Sequence, residues 1–457
     1  MTSFQRFSLP VVAACALGAL LFLFVPQDPR IAFAAAAGGI VLLGLFAAFR
    51  SIRLFPLIIM VSLIIGQLVR LSISSGSSGA LLLTDIATGA YVTIGVIHML
   101  LTKKSPPRTL SVVALIGVVG WMFISLLFGS RDLAGTEIII ALFYAIRFTL
   151  MIGAIIVTAS FYPQKANLAQ LLNWLIVTGI ILVLLGFAQI TFLPDFRFMA
   201  RYGWDPHQGR MLSTYFDPNF FGMFLVIIFS LLLSRFFFFP KAQLTIVALL
   251  LFIAAAILLT YSRSSYLALL ISLGIILTIR SWKLVLIMGI ALTVVSLSIP
   301  RVKERIIGAI TVDETAVDRI ESWQETFVII RSSPWIGVGY NAYGPAQVKY
   351  GLKNNLLGRS SQGSDSSALL ILATMGVIGL AFFTFLFGSF LYEAVILYRH
   401  TKDPFWQSLG LAILGILPAL LIHSQFVNSL FYPLILVPLT FLLATLIQGV
   451  RRLGTQA

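Results

Sequence analysis

DPNFFGMFLVIIFSLLLSR, residues 217–235, opens on a helix-starting triplet, runs apolar for the thickness of a bilayer and closes on Arg235. Asp217 reads as an N-cap and Pro218 as the first helical residue, a position where the missing proline N–H costs nothing. The run beyond Asn219 is continuous and apolar, without the period-two alternation of a barrel strand. This is a membrane-spanning helix, and most of the chain repeats it.

Comparable runs lie at 9–25, 31–49, 54–71, 80–101, 109–128, 137–159, 169–193, 242–260, 264–279, 284–299, 366–397, 406–422 and 430–449. With 218–234 they predict 14 spans, or 12–13 if short runs fail to cross. Of the 457 residues, 59% are hydrophobic and 10% charged, with mean hydropathy +1.01. That composition excludes a soluble protein and predicts an all-α polytopic membrane protein, one integral domain over residues 1–457. The lone Cys15 excludes a disulfide framework. The first apolar run lacks a convincing small-residue cleavage site and reads as a retained helix. The formal net charge of +15 does not indicate nucleic acid, because it is divided between two membrane faces.

The division is regular. Alternate short connections carry Arg50 and Arg53; Lys103, Lys104 and Arg108; Lys165; Arg235 and Lys241; Arg280 and Lys283; Arg399 and Lys402; and Arg451 and Arg452. Short basic loops stay cytoplasmic, so both termini are expected there. The polar stretches 194–217, 261–265, 300–365 and 423–429 then all face outward. The 300–365 stretch is an extracytoplasmic loop region within the domain. Long loops are exempt from the orientation rule, so their arginines ask instead for an anionic partner.

Each candidate has two readings. Arg210, beside the start of the 217–235 helix, either meets lipid phosphate or binds substrate. Arg263, in the turn Tyr261–Ser265, is either a snorkelling side chain or part of an anion site made with the next helix N-terminus. Arg331, Trp335 and Tyr340 come after a predicted surface amphipathic helix around Arg319–Trp323; the aromatics either sit at the interface or stack on sugars. Asp365 is either an N-cap or a general base toward a sugar hydroxyl. His423 ends a span beside Ser424. Arg147 lies in mid-span, a functional hint by default, although pairing with Asp85 also accounts for it. No HExxH, DxD or paired metal-ligand spacing is present, and neither metal nor cofactor is expected.

Gly209-Arg210, Asp217-Pro218-Asn219, the Tyr261–Ser264 turn, Trp335–Tyr340 in the long loop, and Met375-Gly376 to Gly379 occur in an order that resembles the O-antigen ligase / Wzy-type polymerase superfamily. The resemblance covers about 205–380. It implies a bacterial inner-membrane glycosyltransferase whose donor is an undecaprenyl-pyrophosphate-linked glycan. It further implies a glycan or lipid-linked acceptor, a surround of membrane lipids, and Arg210 and Arg263 on the pyrophosphate. Where ligases of this family carry a His-Asn or similar pair, this sequence reads Asp365-Ser366. Polymerisation of lipid-linked repeats is therefore the expected reaction, ligation of a finished glycan the alternative, and transport of the lipid-linked glycan the third reading.

Overall fold

The computed structural model describes residues 38–39, 52–72, 80–202, 204–286, 289–290, 298, 314–354 and 363–456. Among these, ten helices are long and apolar enough to cross a membrane. The protein is an all-α polytopic membrane protein. In chain order the elements are α1 (Phe55–Ile65), strands β1 (Arg70–Ser72) and β2 (Ala80–Leu82), α2 (Leu83–Leu101), α3 (Leu110–Gly129), α4 (Gly135–Phe161), α5 (Lys165–Phe192), α6 (Pro218–Phe236), α7 (Gln243–Thr260), α8 (Arg263–Arg280), α9 (Glu314–Ser332), α10 (Tyr343–Lys349), α11 (Ser367–His400), α12 (Pro404–His423) and α13 (Pro433–Gln456). The expected spans 9–25, 31–49 and 284–299 lie wholly or largely outside the described residues.

The expected span 54–71 is corrected. Its helix stops at Ile65, Gly66 turns with φ +55, and Arg70–Ser72 pairs antiparallel with Ala80–Leu82. The reason is a close approach: Gly66 packs on the Thr214 backbone, whose carbonyl accepts the Gln67 N–H at 2.8 Å. Arg70 therefore stands in a hairpin rather than at the end of a helix.

The most enclosed spans are α13, α6 and α12, and α7 is the most peripheral. Charged connections gather at one end of the bundle. Arg53 Nε donates to the Phe161 carbonyl at 3.2 Å, Lys165 pairs with Asp403, Arg452 bonds the Pro163 carbonyl, and Lys104 lies in the field of Arg53 and Arg451. The described parts of the four stretches expected to face outward meet at the other end.

The longest helix is not continuous. At about 1.5 Å per residue, its 34 residues would reach about 51 Å, well beyond a hydrocarbon core of about 30 Å. It breaks at Gly376, which has φ 68° and ψ −173°. A break inside a bilayer exposes backbone groups that lipid cannot satisfy. The segment Pro334–Gly339 inserts and pairs with them. Val338 N donates to Ala373 O (2.9 Å), Gly339 N to Thr374 O (3.0 Å), Val377 N to Pro334 O (2.8 Å) and Ile378 N to Trp335 O (3.3 Å). From α3, Trp121 Nε1 donates to Met375 O at 2.9 Å and Ser125 Oγ to Thr374 O at 2.7 Å. A Cβ at Gly376 would fall on the Trp335 carbonyl, and one at Gly337 on the Thr374 backbone.

Gly376→Ala and Gly337→Ala should each cost on the order of 1–3 kcal/mol or more, because both positions combine positive φ with no room for a side chain. Gly388→Ala, in open space on the same helix, should be neutral or stabilising by up to about 1 kcal/mol. Thermal unfolding in detergent ranks the three; equal melting temperatures would contradict the pairing.

Candidate functional site

The site grows from one turn. α7 ends at Thr260, Tyr261 adopts a left-handed conformation (φ 48°), and Ser262 caps α8 by accepting from Ser265 N at 3.3 Å. Arg263 is therefore the first residue of α8. Arg210 is held against the same turn: its Nε donates to Thr260 O at 2.9 Å and its Nη2 to Tyr261 O at 3.3 Å. Its neighbour Met211 N donates to Leu259 O at 2.8 Å. The two arginines, far apart in sequence, thus flank one reversal of the chain.

The N-terminus of α6 is fastened to the same place. Asp217 Oδ1 accepts from Asn219 N at 2.7 Å and Phe220 N at 3.2 Å. Ser262 Oγ donates to Asn219 Oδ1 at 2.7 Å, and Ser265 Oγ to Asn219 O at 3.2 Å. Two helix N-termini, each with a partial positive charge, therefore start side by side with Arg210 and Arg263 next to them. Burial raises the pKa of the Asp217 carboxyl, against the opposing pull of the two N–H donors and of Arg210.

His423 closes the cluster from α12. It is fully buried, with Nε2 3.2 Å from Ser264 Oγ and Nδ1 2.7 Å from Ser429 Oγ. Arg319, on α9, lies close enough for its charge to act on this ring. One turn later on α9, Ser322 Oγ accepts from Asp365 N at 3.4 Å. The start of α11 is tied to the α12–α13 turn through Ser366 Oγ to Gln425 Oε1 (3.2 Å), Ser367 Oγ to Asn428 Oδ1 (2.9 Å) and Ser367 N to Ser424 O (2.8 Å). Below it, a narrow, largely apolar crevice runs between Phe148, Phe383, Phe390 and Leu443 and reaches Ser429.

The capping reading of Asp365 is corrected. Ser366 is the N-cap of α11, accepting from Leu369 N at 3.3 Å, and Asp365 precedes it, exposed. Trp335 is 67% exposed, whereas Tyr340 is 8% exposed and packs among Phe148 and Phe431. Interior packing accounts for Tyr340. Arg331 is exposed in the last turn of α9, about 18 Å along the helix from Arg319. The structure thus brings Arg210, Arg263 and His423 together, adds Arg319, and sets Arg331 and Tyr340 apart from them.

Arg147 makes a bidentate pair with Asp85, Nε to Oδ1 and Nη2 to Oδ2 both at 2.8 Å. Asp85 also accepts from Leu82 N at 2.7 Å. This is the pairing that the sequence offered as the structural account of Arg147. Sequence reasoning missed Arg319, although it stood among the outward arginines. Asn219 and Ser264 were visible beside the Pro218 and Arg263 helix starts, but not their bonds to Ser262 and His423, which link segments far apart in the chain.

Residues 246–384 match the family model described as O-Antigen ligase. That segment, under a third of the chain, supports the likeness to the O-antigen ligase / Wzy superfamily. It takes in the Arg263 turn, α9, the Trp335–Tyr340 insertion, Asp365 and the break at Gly376, and it leaves Arg210 and His423 outside. No curated protein matches the chain.

Arg147→Ala should destabilise the protein by about 3–5 kcal/mol, because it strands a buried carboxylate; the double variant Arg147→Met with Asp85→Leu should recover most of that loss. Melting temperatures of the three proteins test this. An Arg147→Ala protein as stable as wild type would refute a structural role for the pair.

Proposed function

We propose that the protein is a metal-independent, inverting glycosyltransferase at the outer face of the bacterial cytoplasmic membrane. It polymerises undecaprenyl-pyrophosphate-linked glycan repeats, with both chain termini cytoplasmic. The observation that supports the proposal is the position of Arg210 and Arg263 at one turn, between two helix N-termini, with the Arg210 guanidinium held by two carbonyls. Fixed cations and aligned N–H groups suit a pyrophosphate leaving group, and they cost no reorganisation as charge develops on it.

That placement supports the following step. An acceptor sugar hydroxyl attacks the anomeric carbon of the donor from the face opposite the pyrophosphate. The new C–O bond forms as the bond to pyrophosphate breaks, and the electron pair leaves on the pyrophosphate oxygen, opposite Arg210 and Arg263. The hydroxyl proton passes to the Asp365 carboxylate, one residue before the Ser366 cap of α11. His423 holds Ser264, next to Arg263, and so orients the α8 end of the site. Arg319 adds positive charge from the loop side. Arg331 and Trp335 line the sugar path, and the crevice reaching Ser429 takes part of the isoprenoid tail.

Ligation of a finished glycan to lipid A-core or another acceptor is the second reading, favoured by the O-antigen ligase description of the matched family. It uses the same donor machinery and differs in the acceptor.

Purified protein given the lipid-linked repeat in EDTA should yield a product ladder. Arg263→Ala and Arg210→Ala should each lower the rate on the order of 10²–10³-fold, the usual loss for one preorganised electrostatic contact. A ladder undiminished in both variants would sink the assignment. No ladder until lipid A-core is supplied would move the protein to the ligases.

A further inference from the structure

A second cation stands apart from Arg210 and Arg263. Arg70 opens β1 half-buried, with its guanidinium 4.4 Å over the Trp204 ring. Among the described residues no carboxylate pairs with it. Burial pulls its pKa below the ordinary arginine value, and the Tyr432 phenol acts in the opposite direction. A partly desolvated charge with no counter-ion is costly unless something compensates it.

Its surroundings hold further unmet polar groups. Gln67 is 7% exposed; its Nε2 donates to Tyr432 Oη at 2.9 Å, while its Oε1 has no partner among the described residues. Thr214, whose carbonyl takes the Gln67 N–H, is buried with its Oγ1 likewise unpartnered. The Tyr432 ring stacks on Phe220 with centroids 3.6 Å apart, and its hydroxyl lies in the fields of Arg70, Arg147 and Asp217. The nearby carboxylates are already engaged. Asp85 is occupied by Arg147, and Asp217 caps α6 beside Arg210. The result is a cation over an aromatic wall, a buried carbonyl acceptor and a buried hydroxyl, all around one phenol.

We propose that Arg70, Gln67, Trp204 and Tyr432 form a second substrate site, which holds the phosphorylated headgroup of the acceptor glycolipid. Arg70 meets the phosphate, Trp204 stacks beside it, and Gln67 Oε1 accepts from a sugar hydroxyl. The site rests on the reading of the protein as a glycosyltransferase. The segment 210–220 is the wall between the two sites, with Arg210 on the donor side and Thr214 and Phe220 facing Gln67 and Tyr432. Two pyrophosphates repel one another, so a polymerase that holds two carriers at once needs two separated cation sites. An acceptor without phosphate needs only one.

The first test needs no turnover. The protein in phosphatidylcholine nanodiscs is titrated with a radiolabelled prenyl pyrophosphate carrying one sugar. Wild type should bind two molecules per chain, Arg70→Gln one, Arg263→Gln one, and the double variant none. Two molecules bound by Arg70→Gln, or one by wild type with Arg70 irrelevant, would overturn the site. So would loss of the Arg70-dependent molecule when phosphatidylglycerol is added, since that marks a bulk phospholipid position. In the polymer assay, Arg70→Gln and Gln67→Leu should raise the acceptor KM about ten- to hundredfold, with donor KM within about twofold and unchanged melting temperature. Arg70→Lys should recover part of that loss. Polymer formation with an unaltered acceptor KM defeats the site and spares the polymerase reading. Two bound molecules without polymer would do the reverse.

Discussion

The loop side of this bundle's polar end depends on a broken helix that has been mended from outside. Breaking α11 at Gly376 frees the carbonyls of residues 373–375 and turns two N–H groups away from their helical partners. In lipid each such group costs several kcal/mol. Here each finds a substitute in Pro334–Gly339 or in α3. The loop after α9 is thereby fixed into the bundle rather than laid on its surface. That in turn sets where α9 can lie, and with it Arg319 beside His423 and Ser322 beside Asp365.

The second constraint is that helix ends must be satisfied where the chain reverses. Asp217, Ser262 and Ser366 each cap a span at the same end of the bundle. Their hydroxyls and neighbours then bond one another: Ser262 to Asn219, Ser264 to His423, and Ser367 to Asn428. Capping thus builds most of the polar floor before any substrate is considered. Arg210 extends this pattern by donating to the Thr260 and Tyr261 carbonyls at the end of α7, whereas Asp365 precedes the cap of α11.

The spans were legible because a bilayer imposes length and apolarity on each of them. Which connections share an end of the bundle was legible because short basic connections recur at alternate turns. Finer features obeyed rules that a sequence does not display. Asp365 and Ser366 are both good caps, and only backbone geometry decides that Ser366 serves. Arg70 lies in an apolar-looking run and reads as helix end, because the contact that stops α1 comes from Thr214, far along the chain. Tyr340 reads as an interfacial aromatic, because nothing local says that the segment carrying it is drawn inward to mend α11. Arg319 joins His423 through the rotation of α9, which periodicity alone does not fix.

The Arg147–Asp85 pair has a bearing on how the protein is made. An arginine near the middle of a span resists insertion, at a cost of about 2.5–3.5 kcal/mol on translocon scales. Its counter-ion lies in α2, which leaves the ribosome before α4. The chain therefore synthesises the neutralising charge first. For α4 to profit from it, α2 must still be alongside when α4 arrives, so the early helices are best understood as entering the bilayer as a group, with biogenesis running in the order that the ion pair demands.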